Sequence, residues 1–191
     1  MFSVIDNQGQ TPHCAAFSIA GIVEALIWKR TGKLINLDAN QIYAKAKTID
    51  GNKNGDGTTL EAAIKAALQL GGLEEQSKNI RLGHIYNDGS DSMQYLIKRL
   101  LHKYEFLHAG FMITDGWYRC NNYNYRISHG RMNYGGHAVV IVGADTEGVY
   151  IANSWGQSWG AKGFAIMPWN VFKQEFMYAC FLQNCFEDWK D

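Results

Sequence analysis

The stretch Q-G-Q-T-P-H-C-A-A-F-S, Gln8 to Ser18, decides the fold. Pro12 stops any helix arriving from the left, and Gly9 with Thr11 suits a turn. From Cys14 onward the spacing is helical: Phe17, Ala20, Ile22, Val23, Leu26 and Ile27 recur three and four residues apart. Lys29 and Arg30 fall in the last turn, and Gly32 follows as the stop. A turn therefore delivers one cysteine to the positive end of the strongest helix in the chain.

Downstream, the first half continues in helical spacing. Leu37–Ile49 predicts a second helix, with Asp38 as N-cap and Gln41 at capping-box distance. The polar run D-G-N-K-N-G-D-G-T, Asp50–Thr58, lacks the ligand alternation and closing glutamate of a calcium loop. Thr58 or Thr59 caps a third helix ending at Leu70, closed by Gly71 and Gly72. Ser90 or Asp91 caps a fourth running to about Tyr104. After residue 105 short apolar or alternating runs take over: Phe106–Ile113, His137–Gly143, Val149–Ala152, Gly163–Met167 and Phe176–Phe181. This segregation predicts an α+β fold of two lobes with a cleft between them. One unit is expected over residues 1–191, its helical lobe over about 1–105 and its antiparallel β lobe over about 106–191. Gly116–Gly136, rich in Tyr, Asn and Arg, reads as a long ordered loop.

The 18 basic and 18 acidic residues cancel. That gives no electrostatic reason to expect nucleic acid or an anionic membrane as a partner. No window is apolar enough to span a bilayer. The first residues lack the pattern of a signal peptide, so a cytoplasmic protein, or one released without such a signal, is expected. Four cysteines are too few for a disulfide-dense fold. Cys180 and Cys185 lie in an apolar segment. Their spacing suits neither a zinc knuckle nor a redox pair, and no histidine cluster sits nearby in sequence. They are expected as buried thiols, with a disulfide as the other reading. No cofactor or metal is called for, and a monomer is expected.

A thiol attacks as thiolate, and a helix N-terminus and a nearby imidazolium both lower its pKa. Of six histidines, His13 is adjacent to Cys14, and neighbouring side chains in an extended turn point apart. His102 sits in a helix. His84, His108 and His129 have no partner pattern. His137 follows two glycines and leads into the buried strand A-V-V-I-V-G, which suits a rigidly held base. Asn153 ends the next strand and can accept from the other ring nitrogen while staying neutral. Trp155 can cover that contact. The Gln8 amide can join the Cys14 backbone N–H in holding an oxyanion.

Taken together, Q-x5-C-A-A-F-S, then G-G-H-A-V-V-I-V-G (Gly135–Gly143), then N-S-W-G-Q-S-W-G (Asn153–Gly160), resemble the papain-like cysteine peptidases in order, spacing and flanking residues. The resemblance implies a helical lobe and a β-barrel-like lobe. It also implies a nucleophile at Cys14, a base at His137, an orienting amide at Asn153 and an oxyanion donor at Gln8. Polypeptide substrate would be met at Gly57, Thr58, Gly135, Gly136 and Trp155. Asp56–Leu68 with Ile166–Trp169 is more similar to short prokaryotic and viral members than to lysosomal cathepsins. Four departures surround the nucleophile. Ala15 replaces the usual tryptophan. Thr11 replaces a cysteine, so the familiar left-lobe disulfide cannot form. Pro12 and His13 replace small residues. The same thioester chemistry could serve a deamidase, a transglutaminase or a deconjugating enzyme, and a binding protein with an unused site is the reading from another class.

Overall fold

The computed structural model describes residues 5–52, 54–71 and 80–183. Gly72 and Cys185 therefore lie outside the described residues. Helix α1 (Cys14–Thr31) ends at Gly32, which takes the left-handed conformation at φ 67° and donates its N–H to Trp28 O at 2.8 Å. The helix is buried on more than one side, because it lies between helices α2 (Ala39–Asp50) and α3 (Leu60–Leu70) and the sheet. Asp38 caps α2, its carboxylate accepting from the N–H groups of Asn40 (2.8 Å) and Gln41 (3.3 Å). Thr59 caps α3 by accepting from Ala62 N–H at 3.1 Å.

The remaining long elements are β1 (Arg81–Tyr86), α4 (Ser92–Tyr104), β2 (Leu107–Thr114), β3 (Asn133–Ala144), β4 (Gly148–Ala152), β5 (Phe164–Pro168) and β6 (Phe176–Gln183). The strands form one antiparallel sheet in the order β1-β6-β2-β3-β4-β5. Both faces of the sheet are covered, which is why its strands read as continuous apolar runs. Ala138, Val140, Ala152 and Cys180 join the core formed with α1, α2 and α3. Val139, Ile141, Ile151, Ala179 and Phe181 point into a second core with Phe111, Trp117 and Phe172.

Three features differ from the sequence expectations. Strand β1 was not read at all. It pairs with β6 from Arg81↔Gln183 to Tyr86↔Tyr178, a partner about a hundred residues away that no local pattern announces. Helix α4 occurs as expected, but Met93 and Ile97 bury in the second core, so this helix packs with the sheet rather than with the helical lobe. Asp91 takes the N-cap position of α4 without a side-chain cap bond, and its carboxylate pairs with Lys173 instead.

The third difference is the expected loop Gly116–Gly136. It holds a short helix α5 (Asp115–Tyr118) and a 3-10 turn (Cys120–Tyr123) before β3 begins at Asn133. A buried carboxylate organises it. Glu175, at the end of helix α6 (Trp169–Glu175), accepts from Thr114 Oγ1 at 2.9 Å and Trp117 Nε1 at 2.7 Å, and lies 3.1 Å from His129 Nδ1. Both of its oxygens thus have hydrogen-bond partners, the condition for burying a polar group. Among the described residues no helix is long and apolar enough to cross a membrane.

Candidate active site

Cys14 is the first residue of α1, so the free N–H groups of the first turn surround it. Burial pushes its thiol pKa up, while the backbone N–H groups of Ala138, Ala15 and Cys14 itself pull it down. The involvement of Ala138, the residue after His137, brings β3 against the sulfur. His13 turns away: its Nδ1 lies 2.9 Å from Asn40 Oδ1, and its ring stacks on Tyr43 at 3.8 Å.

His137 Nε2 lies 2.7 Å from Asn153 Oδ1. The same oxygen accepts the Ser154 N–H at 2.8 Å. A flipped Asn153 amide would set NH₂ against a backbone N–H, so the oxygen faces the ring and Nε2 carries the proton. Nδ1 is then the basic nitrogen, as the second member of an orienting triad requires. Aromatic rings enclose the imidazole. Trp155 covers it at a centroid distance of 4.8 Å, Trp117 meets it edge-on at 6.1 Å, and Tyr118 stacks on Trp155 at 5.0 Å. This burial lowers the His137 pKa to about 4, and the Asn153 bond partly offsets it. Burial thus drives the Cys14 thiol and the His137 ring toward their neutral forms, and the helix end and the N–H donors favour the thiolate.

Gln8 is held from two sides. Its Oε1 accepts the Ser154 Oγ–H at 2.6 Å, and Nε2 donates to Thr11 O at 2.9 Å. The backbone bond Gln8 N–H to Ser154 O, 2.9 Å, ties this turn to the strand-end residues Asn153 and Ser154.

A pocket of about 380 Å³ opens beside the thiol. Cys14, His137, Gly57, Thr58 and Gly136 line it. Gly135 and Trp155 are not among its lining residues; Trp155 lies over His137 instead. Gly57 takes φ 73°, and Lys47 Nζ donates to its carbonyl at 2.9 Å and to Gly55 O at 2.8 Å, which holds the loop at the rim. Met177 and Tyr178 of β6 complete the wall, and neither was anticipated. They reach the cleft only because β6 lies beside β2 in the sheet. Ser154 was also missed as a support for Gln8, although it directly follows Asn153.

No protein-family model matches the chain. It is 26% identical over 190 residues to cathepsin K of Mus musculus, covering 87% of this chain and 56% of that protein. It is 28% identical over 191 residues to cysteine proteinase COT44 of Brassica napus, covering 88% and 57%. Xylellain, a cysteine protease from Xylella fastidiosa, superposes with a TM-score of 0.70 at 20% identity, over 94% of this chain and 82% of that one. The chain has the papain-like fold. It spans a little over half the length of the curated relatives it matches. In this chain the turn of Gln8–Cys14, the first half of β3 and the end of β4 meet.

Two buried histidines make stability depend on pH. His108, whose Nε2 lies 2.7 Å from Ser18 Oγ, has its pKa lowered by burial to about 3, as His137 has to about 4. Unfolded, each returns to the ordinary histidine value of about 6.5. The unfolded chain therefore binds more protons between those values. Stability is complete above about 6.5 and falls as the pH drops toward 4, by about 1.4 kcal/mol per pH unit for each histidine. Urea midpoints measured from pH 7 to 4.5 should decline accordingly, and the decline should be halved in His108→Gln. A midpoint independent of pH over this range would contradict the neutral burial of both rings.

Proposed function

We propose that the chain is a cysteine peptidase in which Cys14, His137, Asn153 and Gln8 carry the reaction. The observation that carries the reading is the His137–Asn153 bond, which leaves Nδ1 basic on the strand whose next N–H acts on the Cys14 sulfur. Nδ1 takes the thiol proton as Sγ attacks the peptide carbonyl. The backbone N–H of Cys14 and the Gln8 amide hold the oxyanion. The C–N bond breaks as His137 protonates the leaving amine, which leaves a thioester on Cys14. His137 then deprotonates a water, which attacks the thioester and releases the acid and the free thiol.

Polypeptide substrates bind along the pocket that Gly57, Thr58 and Gly136 border, and Gly135 and Trp155 meet the far side of the cut. The protein's thiols suit a reducing compartment, because Cys14, Cys120 and Cys180 are unpaired.

Intact-protein mass after brief iodoacetamide treatment, followed by peptide mapping, tests the nucleophile. Cys14 should be labelled first, and prior labelling should abolish cleavage of a peptide library. Labelling no faster than at buried Cys120 and Cys180 would remove Cys14 from the reaction. Acyl transfer to an added amine without hydrolysis would convert the peptidase into a transferase.

A further inference from the structure

The edge of the sheet holds a second group of reactive side chains. No histidine cluster lies near Cys180 in sequence. The pairing of β1 with β6 supplies one histidine in space, because His84 stands directly across the strand from Cys180. Partners in an antiparallel ladder point to the same face. From above, Glu61 in the first turn of α3 reaches the same point. The result is a sulfur, an imidazole nitrogen and a carboxylate oxygen converging from three separate elements.

The spacing of these atoms is informative. His84 Nδ1 lies 3.4 Å from Glu61 Oε1, Cys180 Sγ lies 3.5 Å from His84 Nδ1, and Cys180 Sγ lies 3.6 Å from Glu61 Oε1. A tetrahedral zinc ion bonds sulfur at about 2.3 Å, and nitrogen or oxygen at about 2.0–2.1 Å. Those bonds at tetrahedral angles put the donor atoms about 3.3–3.6 Å apart, with the edges to sulfur longest. All three observed edges match, in the right order. The donors already form one face of a coordination tetrahedron.

We propose that Glu61, His84 and Cys180 bind a thiophilic divalent metal ion, zinc(II) by the chemistry of the donor set. A thiolate, an imidazole and a carboxylate together favour zinc over magnesium or calcium, which take oxygen donors. Three protein ligands leave the fourth position to water or a small ligand. Solvent reaches the site, since the His84 and Glu61 side chains are 33% and 32% exposed, while Cys180 forms its buried floor. The ion would pin α3 to β1 and β6. Leu60, next to Glu61, and Tyr178, two residues from Cys180, both line the pocket beside Cys14, so the clamp stands directly behind the cleft wall. Its three ligands are distinct from the proposed catalytic residues.

Cobalt(II) is the probe, because its four-coordinate thiolate complexes absorb strongly in the visible and near ultraviolet. The titration is done in Cys14→Ser protein, which removes the competing thiol of the cleft. One equivalent should give a four-coordinate spectrum with a sulfur charge-transfer band, which one equivalent of zinc then bleaches. Cys180→Ser in that background should lose the band. Because Cys180 is buried and that variant could fold poorly, His84→Ala on the exposed edge strand is the second arm. It should weaken binding more than about 100-fold, beyond the cost of losing an outer-sphere partner. Zinc should also raise the Tm of the Cys14→Ser chain and leave that of Cys14→Ser with His84→Ala unchanged. Octahedral cobalt only, or the same binding in all variants, would overturn the site and leave a hydrogen-bonded trio.

Discussion

The His137→Ala variant will cleave a good peptide substrate roughly 10⁴- to 10⁶-fold more slowly in kcat/KM, the range seen when one member of an acting triad is removed. The reason lies in burial. Cys14 is partly enclosed and its thiol is pushed up, so in the proposed mechanism the sulfur depends on a base from the facing strand. Removing the imidazole takes away the acceptor for the thiol proton and the donor for the leaving amine together. The near-isosteric His137→Asn should lose as much activity, which separates chemistry from the cavity that alanine leaves under Trp155. Alkylation of Cys14 should slow in both variants while the urea midpoint at neutral pH still reports a folded chain. A loss below about tenfold in a folded variant would take His137 out of proton transfer.

Gln8→Ala should lower kcat by about 10²–10³-fold, the cost of deleting one oxyanion donor. Gln8 is nearly buried, and its amide is held in one orientation by the Ser154 hydroxyl on Oε1 and by Thr11 O on Nε2. One Nε2 proton goes to Thr11, and among the described residues the other takes no partner. A donor held in this way is preorganised for charge that develops only in the transition state. The discriminating readout is a split between two rates. Peptide hydrolysis should fall steeply, while alkylation of Cys14, which forms no oxyanion, should change little. Equal losses in both would mean that Gln8 acts on the thiol or on the turn, and not on the oxyanion.

The helices of the first half were legible because their signals are local. Asp38, Thr59 and Gly32 mark ends whose geometry depends on a few neighbouring atoms. The five strands after residue 105 were legible for a related reason, since their apolar runs are bounded by turns. Strand β1 was not, because R-L-G-H-I-Y has few apolar residues and its partner is supplied by β6 at the far end of the chain. Everything that depends on that pairing was hidden with it: Tyr178 in the cleft wall, and His84 beside Cys180. His108 and His129 lacked partners in sequence and have them in space, in Ser18 and Glu175. Cys14 and Asn153 could be picked out because each sits at the boundary of an element, and His137, which lies inside β3, because two glycines precede it and a buried apolar run follows it. The residues that support them, Ser154 and Trp117, sit inside the packing and resemble ordinary core.

The sheet order has a consequence in time. Strand β6 comes last among the described elements, yet it lies between β1 and β2, which are made long before it. A growing chain that has released Cys14, His137 and Asn153 from the ribosome still lacks Met177 and Tyr178. Long-range insertion of this kind is slow, since the closure entropy is lost before any contact forms. The helix bearing the thiol can form early, but the groove beside it closes only when the final strand slots into the gap. Completion of the groove beside Cys14 is thereby deferred until β6 has emerged, a delay set by topology alone.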